Sequence, residues 1–156
     1  MSAPEQLTDL GFTISGRVAR PVAEVYEAIA DPAQLSRYFT TGGASGRLTA
    51  GAEVTWEFAD HPGAFPVRVV EAREPSRVVI EWAADHGTGE TTRTTFELEP
   101  IDDGARTLVT ITESSWRATP DGARSAFGNC EGWTSMLAAL RAWLEHGINL
   151  REGFYR

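Results

Sequence analysis

The feature that most limits the fold is a solitary long amphipathic helix at the C-terminal end of a chain otherwise written in strand-length runs. Trp133, Met136, Leu137, Leu140 and Leu144 recur at i, i+3, i+4, i+7 and i+11, which is the spacing of one helix face. Arg141 and Glu145 fall off that stripe, and Gly147 stands where a C-cap favours a left-handed residue. Thr119-Pro120-Asp121 opens the helical region, whose first part, through Gly128, carries no comparable stripe.

Upstream the periodicity is two. Phe12, Ile14 and Val18 alternate with polar residues and predict a first strand. Pro21 ends it. Val22, Val25, Tyr26 and Ile29 then give a helical stripe, broken at Asp31-Pro32. Asp31 can cap a second short helix through Ala33, Leu35, Tyr38 and Phe39. After a Gly-rich loop at 41–46 come short extended runs and turns, as in an antiparallel meander. Arg47–Ala50 is a short run, followed by Val54, Trp56 and Phe58 on one face. Asp60–Gly63 reads as a hairpin loop, Phe65–Arg73 as the returning strand, and Glu74–Ser76 as a turn. Val78, Ile80 and Trp82 share the next face, Asp85–Glu90 is a loop, and Thr92, Thr94, Phe96 and Leu98 share a face after it. Asp102–Gly104 turns into a last strand bearing Val109, Ile111 and Glu113 on one side.

One helix must cover a sheet of about seven strands. The sheet is the wider element, so it has to curl. The expected class is therefore α+β: a helix-grip, with a curved antiparallel sheet around the C-terminal helix and two short helices between strands one and two. Residues 1–10 are expected to form a flexible leader, 11–147 the domain, and 148–156 a tail. Ile148, Leu150, Phe154 and Tyr155 in that tail either pack on the sheet or bridge a homodimer. A curled sheet and one helix leave a gap that large side chains must fill or line.

Three segments in order carry a resemblance. They are Arg17–Pro21 with Val25–Ala28 and Asp31-Pro32; Glu71–Trp82; and Glu131-Gly132-Trp133 with Leu137, Leu140 and Leu144. Together, over residues 12–147, they resemble the START-like or SRPBCC superfamily, the pollen-allergen-type helix grip. Within it they are most similar to bacterial homologues of the activator of heat-shock protein 90 ATPase. Two positions depart from that pattern: Tyr38-Phe39 replaces a common Trp pair, and Glu113 stands where the last strand often carries His. The resemblance implies the fold and admits several roles, because function resides in sites grafted on folds.

Composition narrows those roles. The net charge is −8 and no Lys/Arg cluster occurs, which disfavours a nucleic-acid partner. No apolar run approaches a membrane span. Cys130 is the only cysteine, so no internal disulfide can form, and with no apolar leader in residues 1–10 the location expected is cytoplasmic. His61, His86 and His146 lack metal-ligand spacing, so neither metal nor cofactor is expected. Cys130 reads as a small buried apolar residue rather than a nucleophile.

The candidate ligand-binding set is aromatic and apolar: Tyr38, Phe39, Trp56, Phe58, Trp82, Phe96, Trp116, Trp133, Met136, Leu137 and Leu140, with Glu113 as the polar member. These residues either line a pocket or simply pack the core. Trp82 and Trp133 suit the core, and Trp116 suits a cavity mouth. Glu113 either points inward, where it could serve as an acid or base, or is solvated at a strand end. The first reading is a binding protein that holds a small, largely apolar ligand in the cavity between the sheet and the C-terminal helix and performs no covalent chemistry. The second is a polyketide cyclase or aromatase-like enzyme, with Glu113, Arg68 and Tyr38 as catalytic candidates. The third, implied by the family resemblance alone, is a co-chaperone-like module that binds a chaperone.

Overall fold

A computed structural model describes residues 3–83 and 90–155. Most of the loop expected at Asp85–Glu90, with His86, lies outside the described residues. Strand β1 (Asp9–Val18) leads into helices α1 (Val22–Ala30) and α2 (Pro32–Tyr38). Strands β2 (Gly43–Ser45), β3 (Glu53–Phe58), β4 (His61–Arg73), β5 (Arg77–Ala83), β6 (Thr91–Ile101) and β7 (Arg106–Arg117) follow, and helix α3 (Pro120–His146) closes the order. All strand pairs are antiparallel, in the order β1-β7-β6-β5-β4-β3-β2. The expected α+β helix-grip is the observed fold.

Alternation assigns the faces. On β7, Thr107, Val109, Ile111 and Glu113 are buried, while the residues between them are only partly so. On β4, Val67 and Val69 are buried and Arg68 is exposed. α3 turns Trp133, Met136, Leu137, Ala139 and Leu140 onto the inner face. It packs on β1 and β7 and touches α1 and α2. Gly16 is what lets it approach β1, since a Cβ there would lie 2.9 Å from Leu137 Cδ2. At the far end of the helix, Glu145 accepts the Ala19 backbone N–H at 3.0 Å. Local signals set the helix ends. Asp31 Oδ1 accepts from the Ala33 N–H at 3.0 Å, Thr119 caps α3 through the Gly122 N–H, and Gly147 terminates it at φ 67°.

Several boundaries differ from the sequence expectation, each for a local reason. β1 begins at Asp9, because Asp9 and Leu10 pair with Arg117 and Trp116 of β7. β7 in turn runs past Glu113: Ser115, at φ 85°, is skipped in the pairing, a bulge that lets the strand continue. The β3–β4 connection is a two-residue turn at Ala59-Asp60, since Phe58 already pairs with His61. The second strand lies at Gly43–Ser45 against β3 rather than at Arg47–Ala50. The first turns of α3 are continuous with the rest despite lacking an apolar stripe.

Two glycines of α3 should respond oppositely to alanine. A Cβ at Gly122 would fall on the carbonyl oxygen of Arg117, whereas one at Gly128 meets open space. Thermal unfolding should show Gly122→Ala losing about 1–3 kcal/mol through backbone overpacking. Gly128→Ala should gain up to about 1 kcal/mol from helix propensity.

Candidate functional site

Inside the grip, rings from five elements meet. Phe39, just after α2, lies 5.5 Å from Trp56, 5.0 Å from Phe58 and 5.3 Å from Trp133, centroid to centroid. Trp133 also meets Trp82 at 5.5 Å and Phe96 at 5.2 Å. Trp56 contacts Trp82 at 5.7 Å, and Phe65 bridges Phe58 and Trp82 at 5.9 and 5.8 Å. These are the offset and edge-on separations at which aromatic pairs attract. The centre of the space between sheet and helix is thus filled by its own rings. Met136, Leu137 and Leu140 join the same core. Trp116 does not: it stacks on Phe12 at 5.7 Å in a separate small cluster with Ala126, and its indole N–H donates to Ser125 Oγ at 3.0 Å.

Glu113 points inward and is 0 % exposed. Its Oε1 accepts from Trp133 Nε1 at 2.8 Å, and its Oε2 from Trp82 Nε1 at 2.6 Å and Thr92 Oγ1 at 2.5 Å. Asn129 Nδ2 donates to both oxygens, at 3.1 and 3.2 Å. No cation pairs with this carboxylate among the described residues. Among the described residues, neutral donors alone therefore hold this buried carboxyl group. Indole N–H groups can only donate, so an acceptor here suits both rings, and hydrogen bonds to a charged group are the strong kind. Both oxygens are thus engaged by partners on β5, β6 and α3.

The other two catalytic candidates lie elsewhere. Arg68 is on the outer face, its side chain 68 % exposed and 3.9 Å from Glu81. The buried Tyr38 hydroxyl donates to the Ala28 carbonyl at 2.9 Å, and burial pushes it well above the usual phenol range. The structure does not bring Glu113, Arg68 and Tyr38 together. Among the described residues no group of three or more His, Cys, Asp or Glu side chains is placed to hold a metal ion.

Two concavities border the C-terminal segment instead. A groove of about 580 Å³ runs along the outer side of α3, lined by Phe127, Cys130, Ala138, Leu150, Phe154 and Tyr155 among others. Phe127 and Phe154 are 74 % and 69 % exposed there. A recess of about 370 Å³ lies between Phe39, Thr41, Asp60, Asn149, Arg151 and Tyr155. Arg151 is buried, with its guanidinium 5.2 Å from the Phe39 ring, 5.5 Å from Phe58 and 4.9 Å from Tyr155. The sequence pattern leaves the place of the tail open and does not mark Phe127 or Arg151. The one available signal was a Phe on α3 outside its buried stripe.

With this geometry in place, the relatives can be read. The sequence profile for "Activator of Hsp90 ATPase homolog 1-like protein" matches residues 19–145. The chain belongs to that family. A comparison with curated proteins gives no match. Solved structures share the fold of this family member. A Staphylococcus saprophyticus protein superposes with a TM-score of 0.75 at 23% identity, covering 91% of this chain and 96% of its own. The Aha1 dimer of Colwellia psychrerythraea gives 0.71 at 21%, covering 88% and 98%. DynU16, from the dynemicin biosynthetic locus, gives 0.72 at 25%, covering 88% of this chain but 48% of its own. Likeness at these identities carries the fold, and the site must argue for itself.

Replacing Glu113 by Gln puts an amide NH2 against donors. Denaturant unfolding should show a loss of about 1–3 kcal/mol, the cost of leaving a buried polar group unsatisfied. A change within about 0.5 kcal/mol, the usual effect of a surface substitution, would contradict the clamp.

Proposed function

We propose that this family member is a binding protein for a small, largely apolar ligand and performs no covalent chemistry on it. The observation that carries this reading is the groove of about 580 Å³ on the outer side of α3. Its volume falls within the range of small-molecule sites, about 300–1,000 Å³. Phe127, Leu150 and Phe154 offer it exposed apolar surface, a type of surface that soluble proteins seldom leave without use. Cys130, Thr134 and Ser135 supply a few polar atoms for orientation. The ring cluster inside the grip supports a seat outside it, because a ligand at the centre would have to part rings already in contact.

One observation favours a second seat. Trp56 Nε1 and Thr94 Oγ1 are buried without a hydrogen-bond partner. An interior ligand with acceptor atoms would satisfy them, in keeping with the ligand-binding set read from the sequence. The same exposed apolar residues also suit a protein partner, either a second copy or a chaperone of the kind named in the family's description.

Nile red, a neutral apolar dye, separates these readings. Titration should give saturable one-to-one binding by a monomer. Phe127→Ala and Phe154→Ala should each weaken it roughly tenfold, the worth of one aromatic contact of about 1.4 kcal/mol. Binding that survives both substitutions and quenches the interior tryptophans would place the ligand inside the grip. A concentration-dependent dimer abolished by both substitutions would make the groove an interface. No saturable binding would end the small-ligand reading.

A further inference from the structure

Arg151 is the anomaly that the groove alone does not explain. It is only 7 % exposed, and its Nε and Nη1 have no hydrogen-bond partner. Among the described residues no carboxylate forms a close ion pair with it, although Asp60, in the same recess, attracts it at longer range. Burial without such a partner is costly for a guanidinium, and here it pulls the group below its ordinary arginine value. Three rings lie within 5.5 Å of the guanidinium, yet ring faces supply no lone pair in the plane of its N–H groups. Arg151 also forms part of the wall of the 370 Å³ recess, and that recess and the groove share Tyr155 as a wall.

We propose that the ligand of the groove is an amphiphilic carboxylate, its apolar body along Phe127, Leu150 and Phe154 and its carboxylate reaching Arg151 through the adjoining recess. This rests on the groove reading above and names the chemical class it takes. A guanidinium is the side chain best matched to a carboxylate, since it presents planar N–H donors. Nε and Nη1 are covered, so a carboxylate reaches them only as neighbouring side chains move aside, Tyr155 being a wall of both concavities. Two carboxylates line the same recess and oppose an anion, Asp60 and Glu152. Asp60 also attracts Arg151, so an incoming carboxylate competes with it for the guanidinium, while Glu152 is exposed, where solvent and salt weaken its field. The net charge of −8 likewise repels anions only at long range and is screened beyond about 8 Å at physiological ionic strength. Contact with Arg151 then decides the preference.

The test is displacement of Nile red from the full chain by decanoate and by 1-decanol, which share a ten-carbon body and differ in the head group. Decanoate should displace the dye at a concentration at least about tenfold lower, the difference one charge-assisted contact makes. Arg151→Gln should erase that preference while leaving dye and decanol affinities unchanged, and Arg151→Lys should keep part of it. Equal displacement by the two compounds in the native chain would overturn the inference while leaving the groove reading intact. So would a preference that survives Arg151→Gln. If Arg151→Gln weakens dye, alcohol and carboxylate alike, Arg151 only secures the tail and the inference falls. If Nile red itself does not bind, it is the groove reading that fails.

Discussion

A carboxylate that pairs with no cation among the described residues, held by indole, hydroxyl and amide donors, fixes the relation of helix to sheet. Glu113 stands on β7, and its partners come from β5, β6 and α3. The arrangement is reciprocal. Taking a carboxylate out of water is tolerable only when its oxygens are fully engaged, and burying an indole N–H is tolerable only when an acceptor meets it. Trp82 and Trp133 are thereby fixed in orientation as well as position. Phe39, Trp56 and Phe96 then pack on Trp133. The ring-filled centre follows from the clamp. A second fastening, from Glu145 to the Ala19 backbone, holds the other end of α3.

That packing explains where concave surface remains. A helix-grip whose middle is occupied by its own tryptophans keeps its concavities at the rim and on the outer side of its helix. Here the segment after α3 folds back so that Arg151 wedges over Phe39 and Phe58, while Leu150 and Phe154 stay exposed beside Phe127. The family's fold thus carries a short appendage that creates both concavities. Its side chains divide the chemistry between them, apolar on one side of Tyr155 and charged on the other.

Much of the architecture was legible in the residues, because the signals were local and periodic. The Trp133–Leu144 stripe, the Asp31 cap, the Thr119-Pro120-Asp121 opening, the Gly147 terminus and the alternation on β3, β5, β6 and β7 all report contacts within a few residues. Strand parity alone was enough to raise an inward Glu113. Its partners were not legible: Trp82, Thr92, Asn129 and Trp133 lie 16 to 31 residues away on three elements, and no periodicity marks such a convergence. The same holds for the boundaries that shifted. Whether β7 continued past Glu113 depended on a bulge at Ser115 and on pairing with Leu10. Arg151 sits in a tail too short to show a period, so its burial emerges only from three-dimensional packing.

The most direct measurement of the central claim is hydrogen exchange at the five tryptophan indole N–H groups, resolved by NMR. If the carboxylate clamp exists, the Trp82 and Trp133 signals will exchange orders of magnitude more slowly than free indole. Both will also show hydrogen-bond couplings or proximity to a carboxylate carbon assigned to Glu113. Rapid exchange at both indoles, or a Glu113 carboxylate in contact with solvent rather than with these rings, would contradict the account of how helix and sheet are joined.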